Sequence, residues 1–196
     1  PLPSERDQNF LLENAQGRRY VLKIANAAEK IEILEFQNAV MDHLNKNSPK
    51  EICPQLVPDI SGRMISTAAD SQAGVHFVRL ARYIEGVPLG LVSPQAPELL
   101  FELGRFIARL VIAFQSLRQK EFQENLIWNM KNGVAIVKGY IRHIKGQARC
   151  ALIKNFLSLF EKIATPWILS LPLSIIHNDA NDYNVIVSFP DSSPEN

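Results

Sequence analysis

The sequence predicts an α+β fold, with strands in the first part of the chain and helices in the middle. Three observations support this prediction. Up to about residue 88, short apolar runs alternate with turn residues. From residue 93 to residue 169, apolar residues recur mostly at three- and four-residue steps. Near the C-terminus, a polar loop lies between two β-branched runs that are typical of strands.

Composition excludes several classes of protein. The 196 residues carry 21 basic and 20 acidic side chains, and a net charge of +1 gives no reason to expect nucleic acid or an anionic membrane as a partner. Charged residues interrupt every apolar stretch before it reaches membrane-spanning length. Cys53 and Cys150 lie far apart and lack metal-ligand spacing, which is typical of a reducing, cytoplasmic compartment.

A hairpin and a helix are predicted at the N-terminus. Residues 10–12 and 20–24 are strand-like, and the intervening residues 14–18 favour a turn. Residues 27–44 carry apolar side chains at a mostly helical spacing. Lys23 interrupts the second apolar strand, and on pattern alone it would face solvent.

The middle of the chain is predicted to contain one long strand and then helices. Residues 75–84 form the clearest strand, and Gly and Pro directly after it mark a chain crossing. Ser93 is a preferred N-cap and Pro94 suits the first helical position, so the longest helix is expected to begin there and to end near residue 120. Residues 134–144 and 148–169 predict two further helices.

The polar loop at residues 177–184 has a chemically suggestive spacing. His177, Asp179 and Asn184 follow the pattern H-x-D-x-x-x-x-N. Phosphoryl transfer needs a carboxylate that takes or orients the proton of the attacking hydroxyl, and it needs oxygen ligands for Mg²⁺. Asp179 suits the first role and Asn184 suits the second. The alternative is a purely structural turn, which favours the same Asn and Asp residues.

The segment HNDANDYNVIV resembles the catalytic loop of the aminoglycoside phosphotransferase and choline kinase-like small-molecule kinases. Asn178, where many members have Gly, is similar to the choline kinase variant. The segments SERDQNF, YVLKI and LIWNMKN are similar in wording to the hydroxylysine kinase branch of that family. The resemblance implies a protein-kinase-like bilobal fold. Residues 1–84 would be the nucleotide-binding N-lobe, a β-sheet with one helix, and residues 85–196 a partial helical C-lobe that ends at the catalytic loop.

The resemblance also implies roles near the nucleotide phosphates. Lys23 would contact the α- and β-phosphates, and a glutamate of the following helix, Glu35 in preference to Glu32, would hold it. Ser4 and Asn9 would reach the phosphates from the segment before the first strand. That segment contains no glycine, and a surface lead-in is an equally good interpretation.

Further implied roles lie between the lobes and in the loop. The backbone of Arg82 and Ile84 would bind the nucleotide base at the hinge, a placement that depends on loop length. His177 would brace the catalytic loop, and Asp182 would cap its turn. Family kinases carry a further Asp, the second Mg²⁺ ligand, on the strands after this loop. Asp191 follows the loop in a tail rich in Pro and Ser, so this role is not assigned to it.

The activity implied by the resemblance is transfer of the γ-phosphoryl group of ATP or GTP to a hydroxyl of a small amino-alcohol or amino acid, with Mg²⁺ as cofactor. Choline, ethanolamine, hydroxylysine and aminoglycosides are the candidate acceptors, and the wording favours hydroxylysine-like amino acids. Without the second metal-binding Asp, the alternative is an inactive nucleotide-binding or interaction module. The chain is accordingly expected to be a fragment of a longer kinase or a degenerate one.

Overall fold

The structure, a computed structural model, describes residues 1–4, 6–47, 53–69, 74–117, 129–172 and 174–189. The chain divides into two compact units. One comprises Pro1–Arg118 with Ile175–Asn196, and the other comprises Gln119–Ser174. The predicted division into an N-lobe and a C-lobe at residue 84 came from family resemblance, and it stays a prediction. Asp191 and the first three residues of LIWNMKN lie outside the described residues.

The described part of the first unit is built on a five-stranded antiparallel sheet, whose strands are β1 (Gln8–Glu13), β2 (Arg19–Ile24), β3 (Leu56–Val57), β4 (Ser66–Ala69) and β5 (Val75–Arg82). Strand β5 is central, because β2, β3 and β4 all pair with it, and β1 pairs with β2. Asn14 closes the β1–β2 turn, since its Oδ1 accepts from the N–H groups of Gln16 and Arg18 at 3.0 and 2.9 Å. The predicted hairpin and the predicted long strand are confirmed.

In the described part of the first unit, two helices supply the main cluster of buried hydrophobic residues. Helix α1 (Ile31–Asn47) follows β2, and helix α2 (Pro97–Gln115) follows the sheet. The core cluster joins the two helices and consists of Leu44, Leu110 and Phe114. Ile175, two residues before the polar loop, also packs against this cluster. The loop therefore starts from a fixed apolar base.

Helix α2 begins later than expected. We expected its start at Ser93 and Pro94, but its N-cap is Ala96 and its first residue is Pro97. Pro94 and Pro97 both suit the first helical position. Ser93 is a favourable N-cap residue and therefore indicated Pro94, whereas the helix begins at Pro97.

The described part of the second unit is mainly helical. It contains α3 (Gly133–Tyr140), α4 (Gln147–Leu159), a π-helical turn (Phe160–Ala164) and α5 (Thr165–Ser170). The two predicted helices are confirmed in this region. Pro166 has no N–H to donate to the carbonyl of Lys162, and the wider π-helical turn lies directly before α5. None of the helices within the described ranges is both long enough and apolar enough to cross a membrane.

A second, two-stranded ladder lies in the first unit and includes the end of the polar loop. Strand β6 (Val87–Pro88) pairs with β7 (Ile186–Val187). Gly86 directly precedes this ladder with a φ of 147°. A Cβ at this position would lie 2.6 Å from both Ile186 Cγ2 and the Val187 carbonyl oxygen. Only glycine permits this backbone conformation and this close approach without strain.

We expect Gly86→Ala to lower the free energy of unfolding by about 2 kcal/mol or more, because it combines backbone strain with steric overlap. Gly104→Ala is the matched control. Gly104 lies within α2 with nothing within 4 Å of an added Cβ, so the same change should stabilise the helix by up to about 1 kcal/mol. Urea unfolding of both variants measures the difference, and equal stabilities would contradict the assigned role of Gly86.

Candidate active site

Residues 177–184 form a tight loop in which the two residues predicted from spacing are in contact. Asn184 Nδ2 donates to Asp179 Oδ2 at 2.7 Å and to the Asp179 carbonyl oxygen at 2.9 Å. Asn181 Nδ2 donates to the other carboxylate oxygen, Oδ1, at 2.9 Å. The Asp179 N–H lies 3.4 Å from His177 Nδ1. The structure therefore holds the Asp179 carboxylate between two side-chain amides.

Asn181 organises this loop, although sequence analysis gave it no role. Its Oδ1 accepts from the N–H groups of Tyr183 and Asn184 at 2.9 and 3.2 Å. An Asn side chain that bonds the backbone two residues on is a recognised turn signal, and that signal could have identified Asn181. Asn178 adopts a positive φ of 59°, a conformation that Asn and Gly tolerate best.

The loop is hydrogen-bonded through its backbone to the segment that follows Gly86. The N–H of Leu89 donates to the Val185 carbonyl and the N–H of Gly90 donates to the Asp182 carbonyl, both at 2.9 Å. A Cβ at Gly90 would lie 3.1 Å from Asp182 Cβ. The backbone of Asp182, rather than its carboxylate, makes this contact. Main-chain bonds therefore fix the position of the C-terminal end of the loop.

The Asp179 and Asn184 side chains can offer one carboxylate and one amide oxygen to a ligand. The Asp179 side chain is exposed, and no cation lies within ion-pair distance of it among the residues that the structure describes. The nitrogen of Asn184 is used by Asp179, which leaves its Oδ1 as the atom able to bind a hard cation. Within the described ranges, no three His, Cys, Asp or Glu residues cluster as a metal site. Asn184 Oδ1 therefore fits a Mg²⁺ site only if phosphate oxygens and water supply the other ligands.

A cavity of about 350 Å³ adjoins the loop. Residues 176–180 form one wall of it, and Ile107, Leu110 and Val111 of α2 form the other. This volume is at the small end of the range for ligand pockets. Asp179 is therefore accessible from a partly apolar recess as well as from solvent.

Lys23 is half-buried on one face of the sheet, not exposed as its pattern alone would suggest. It pairs directly with Asn9 of β1 and with Arg79 of β5. Directly paired residues of antiparallel strands share a face, so these three side chains form a row across the sheet. Burial, and then the charge of Arg79, lower the pKa of Lys23, while Asp7 acts in the opposite direction.

The glutamates of α1 do not reach this row. Glu32 and Glu35 are exposed, and within the described ranges neither forms an ion pair with Lys23. The structure therefore does not bring Glu35 and Lys23 together, and the role of Glu35 stays a prediction. Ser4 is also exposed. The nearby N–H of Leu2 donates to the Asn9 carbonyl at 2.7 Å, so the residues before β1 fold back along that strand.

Arg79 makes the contact with α1 instead. Its Nη1 donates to Asn38 Oδ1 and its Nη2 donates to Gln37 Oε1, both at 2.9 Å. Sequence analysis missed Arg79 because an arginine in a strand is usually exposed, and no local pattern shows which helix a strand will meet.

The two predicted hinge residues differ in their hydrogen bonding. The N–H of Arg82 donates to the Gln55 carbonyl at 2.8 Å, so this donor is already used. Ile84 has no backbone hydrogen bond to any residue in the described ranges. Its N–H and C=O therefore remain able to bind a ligand. Neighbouring contacts fix the hinge, because the Tyr83 N–H donates to the Arg19 carbonyl at 3.1 Å and Arg19 pairs with Glu85.

Comparison with known proteins identifies the family of this chain. Residues 1–194 match the model of a family described as the phosphotransferase enzyme family. The chain belongs to this family. Hydroxylysine kinase of Mus musculus is 28% identical to this phosphotransferase-family chain, over 98% of the chain and 54% of the relative. The protein of the same name from Danio rerio is 25% identical, over 95% of the chain and 54% of the relative. The chain thus spans about half the length of the curated relatives it matches.

A solved structure shows the fold. The amicoumacin kinase hAmiN, in complex with AMP-PNP, Ca²⁺ and Ami, superposes with a TM-score of 0.61 at 15% sequence identity. The match covers 88% of this phosphotransferase-family chain and 48% of that kinase. The predictions of the family and of an α+β fold of the kinase-like, aminoglycoside phosphotransferase type are confirmed.

The buried position of Lys23 predicts a pH-dependent effect on stability. The pKa of Lys23 in the folded state lies below its usual value of 10.5, so its charge opposes folding at neutral pH. That cost disappears as the pH rises through the folded-state pKa towards 10.5. We therefore expect Lys23→Met to raise the free energy of unfolding at pH 7, with a smaller gain near pH 10.

Urea unfolding at the two pH values measures this effect. Lys46→Met is the matched control, because Lys46 is exposed on α1 and pairs with Asp42, one turn away. It should change stability by no more than about 0.5 kcal/mol at either pH. A destabilised Lys23→Met variant would show that the lysine contributes favourably to the ligand-free fold.

Proposed function

We propose that this protein is a small-molecule kinase that transfers the γ-phosphoryl group of ATP or GTP to a hydroxyl group. The observation that carries the proposal is the hydrogen-bonded pair of Asp179 and Asn184 in the H-x-D-x-x-x-x-N loop. Membership of the phosphotransferase family supports it. The nucleotide of the amicoumacin kinase complex is AMP-PNP, which supports ATP as the donor.

The loop residues suit distinct steps of this reaction. Asp179 orients the acceptor hydroxyl through a carboxylate oxygen and takes up its proton as the new bond to phosphorus forms. The amides of Asn181 and Asn184 hold that carboxylate in one orientation. Asn184 Oδ1 is the protein ligand for Mg²⁺, which supplies charge neutralisation at the phosphates when bound.

The remaining predicted residues bind the nucleotide. Lys23 contacts the phosphates from β2, and Asn9 lies beside it on the same face. The backbone N–H and C=O of Ile84 bind the base. The Arg82 N–H already donates to the Gln55 carbonyl, so Arg82 acts by holding the backbone beside Ile84 in place. Ser4 and Glu35 are exposed, so they take up their proposed roles only in the nucleotide-bound protein.

The proposed acceptor is a small hydroxylated amino acid or amino-alcohol. Two hydroxylysine kinases that align with nearly the whole chain favour a hydroxylysine-like amino acid over choline, ethanolamine or an aminoglycoside. We propose that the reaction takes place in the cytoplasm, where both nucleotides are available. Parallel assays with the four acceptors, each with ATP and with GTP, identify the pair of substrates.

We expect Asp179→Asn to reduce phosphoryl transfer by about 10²–10⁴-fold, because it removes the proton acceptor and keeps the shape of the side chain. Affinity for the nucleotide should change by less than about threefold, because Asp179 acts on the acceptor. The measurement is transfer of labelled γ-phosphate, together with nucleotide binding by calorimetry.

Asp182→Asn is the matched control, because it makes the same change three residues away in the same exposed loop. It should retain at least about half of the wild-type rate. Equal rates in wild type and Asp179→Asn would contradict the assignment of the base. Nucleotide binding without transfer to any acceptor would instead favour the inactive nucleotide-binding module.

A further inference from the structure

Arg79 is an unusual residue for the interior of this sheet. Only 7% of its surface is exposed, and it is the one polar or charged residue classed as buried among those that the structure describes. Burying a charge is costly unless a counter-charge or several hydrogen bonds compensate it. The groups that compensate the buried charge of Arg79 therefore indicate which ligand the surrounding site could bind.

The close partners of Arg79 are neutral. Both of its hydrogen bonds go to side-chain amide oxygens, those of Gln37 and Asn38 on α1. No carboxylate lies within ion-pair distance in the described ranges. Asp7 and Glu29 are the carboxylates that act on it from further away, and they only partly oppose the lowering of its pKa by burial.

Lys23 lies directly beside Arg79 and is in the same situation. It also has no carboxylate within ion-pair distance among the described residues, and the charge of Arg79 acts against its own. Asp7, the carboxylate that acts on both cations, already accepts from the backbone and side chain of Asn26 at 3.2 and 3.3 Å. Next in the row, Asn9 Oδ1 is buried and lacks a hydrogen-bond partner among the described residues, and this acceptor can bond only a donor such as a cationic side chain. The row therefore carries excess positive charge and incomplete hydrogen bonding.

We propose that Arg79 is a positioning residue of a two-cation subsite for polyphosphate, in which neutral amides from α1 hold it so that its charge remains available to the ligand. A glutamate at the position of Gln37 would neutralise that charge. The protein instead presents two neighbouring cations, and the phosphates of the ligand supply the counter-charge. This inference rests on the proposed function only in naming a nucleoside triphosphate as the natural ligand.

The decisive variant is Gln37→Glu. Its Oε1 already lies 2.9 Å from Arg79 Nη2, so the change places a carboxylate against the guanidinium without altering the shape of the side chain. We expect affinity for inorganic tripolyphosphate to fall about tenfold at low salt, because the added charge opposes the ligand at close range. Stability of the ligand-free protein should stay equal or increase. A purely structural role for Arg79 predicts the same gain in stability with no loss of affinity.

The controls separate charge from general damage. Gln16→Glu makes the same change in the exposed β1–β2 turn and should leave tripolyphosphate affinity within about twofold of wild type. Arg79→Met should weaken tripolyphosphate binding but not adenosine binding, whereas Arg18→Met, in the same exposed turn, should weaken neither. Equal loss of both ligands in Arg79→Met, or equal affinities in Gln37→Glu and Gln16→Glu, would overturn the inference.

The result also separates this inference from the proposed function. Tripolyphosphate binding that depends on Gln37 and Arg79, without phosphoryl transfer to any acceptor, would support the subsite and contradict the kinase activity. Phosphoryl transfer that is insensitive to Gln37→Glu at subsaturating ATP would support the kinase and overturn the subsite. A wild-type protein that binds neither tripolyphosphate nor ATP would overturn both.

Discussion

The main-chain pairing between residues 86–90 and residues 182–187 is the constraint on which the candidate site depends. It joins two parts of the first unit that lie almost 100 residues apart in sequence. Gly86 and Gly90 permit the approach, because a Cβ at either position would come close to the loop. With this pairing in place, the side-chain amides of Asn181 and Asn184 need only orient a carboxylate whose position is already fixed.

The sheet of the first unit holds two poorly hydrated cations, and this lowers the stability of the ligand-free fold. Lys23 and Arg79 both lose hydration on burial, and in the described part of the chain the carboxylates that act on them, Asp7 on both and Glu29 on Arg79, offset this loss only in part. Such an arrangement is unfavourable for a ligand-free protein and favourable for one that binds a polyanion. The loop is arranged in a similar way, because neutral amides hold the Asp179 carboxylate and leave it exposed to a ligand.

Local sequence predicted the elements whose determinants are local. The β1–β2 hairpin, the central strand and the loop each carry their turn residues and apolar runs within a few positions. The predicted start of α2 was wrong because two nearby prolines both suit the first helical position. The positive φ of Asn178 is a conformation that Asn and Gly adopt most readily, which suits the Asn or Gly that the family resemblance implies at this position.

Long-range contacts could not be predicted in the same way. Nothing near Arg79 in sequence indicates that Gln37 and Asn38, some forty residues earlier, will bind it. For the same reason the pairing of Lys23 with Glu35, a contact between a strand and a helix, followed from family resemblance and not from the residues. Register across the sheet, which no single segment encodes, decides which charges become neighbours.

The central proposal is that this protein binds a nucleoside triphosphate together with a divalent cation. A thermal-shift titration with ATP and with GTP, in the presence and absence of Mg²⁺, tests this claim most directly, because a ligand that binds only the folded state must raise the midpoint of unfolding. The account predicts a concentration-dependent rise with at least one nucleotide that is larger when Mg²⁺ is present. An unchanged midpoint with both nucleotides, with and without Mg²⁺, would contradict it.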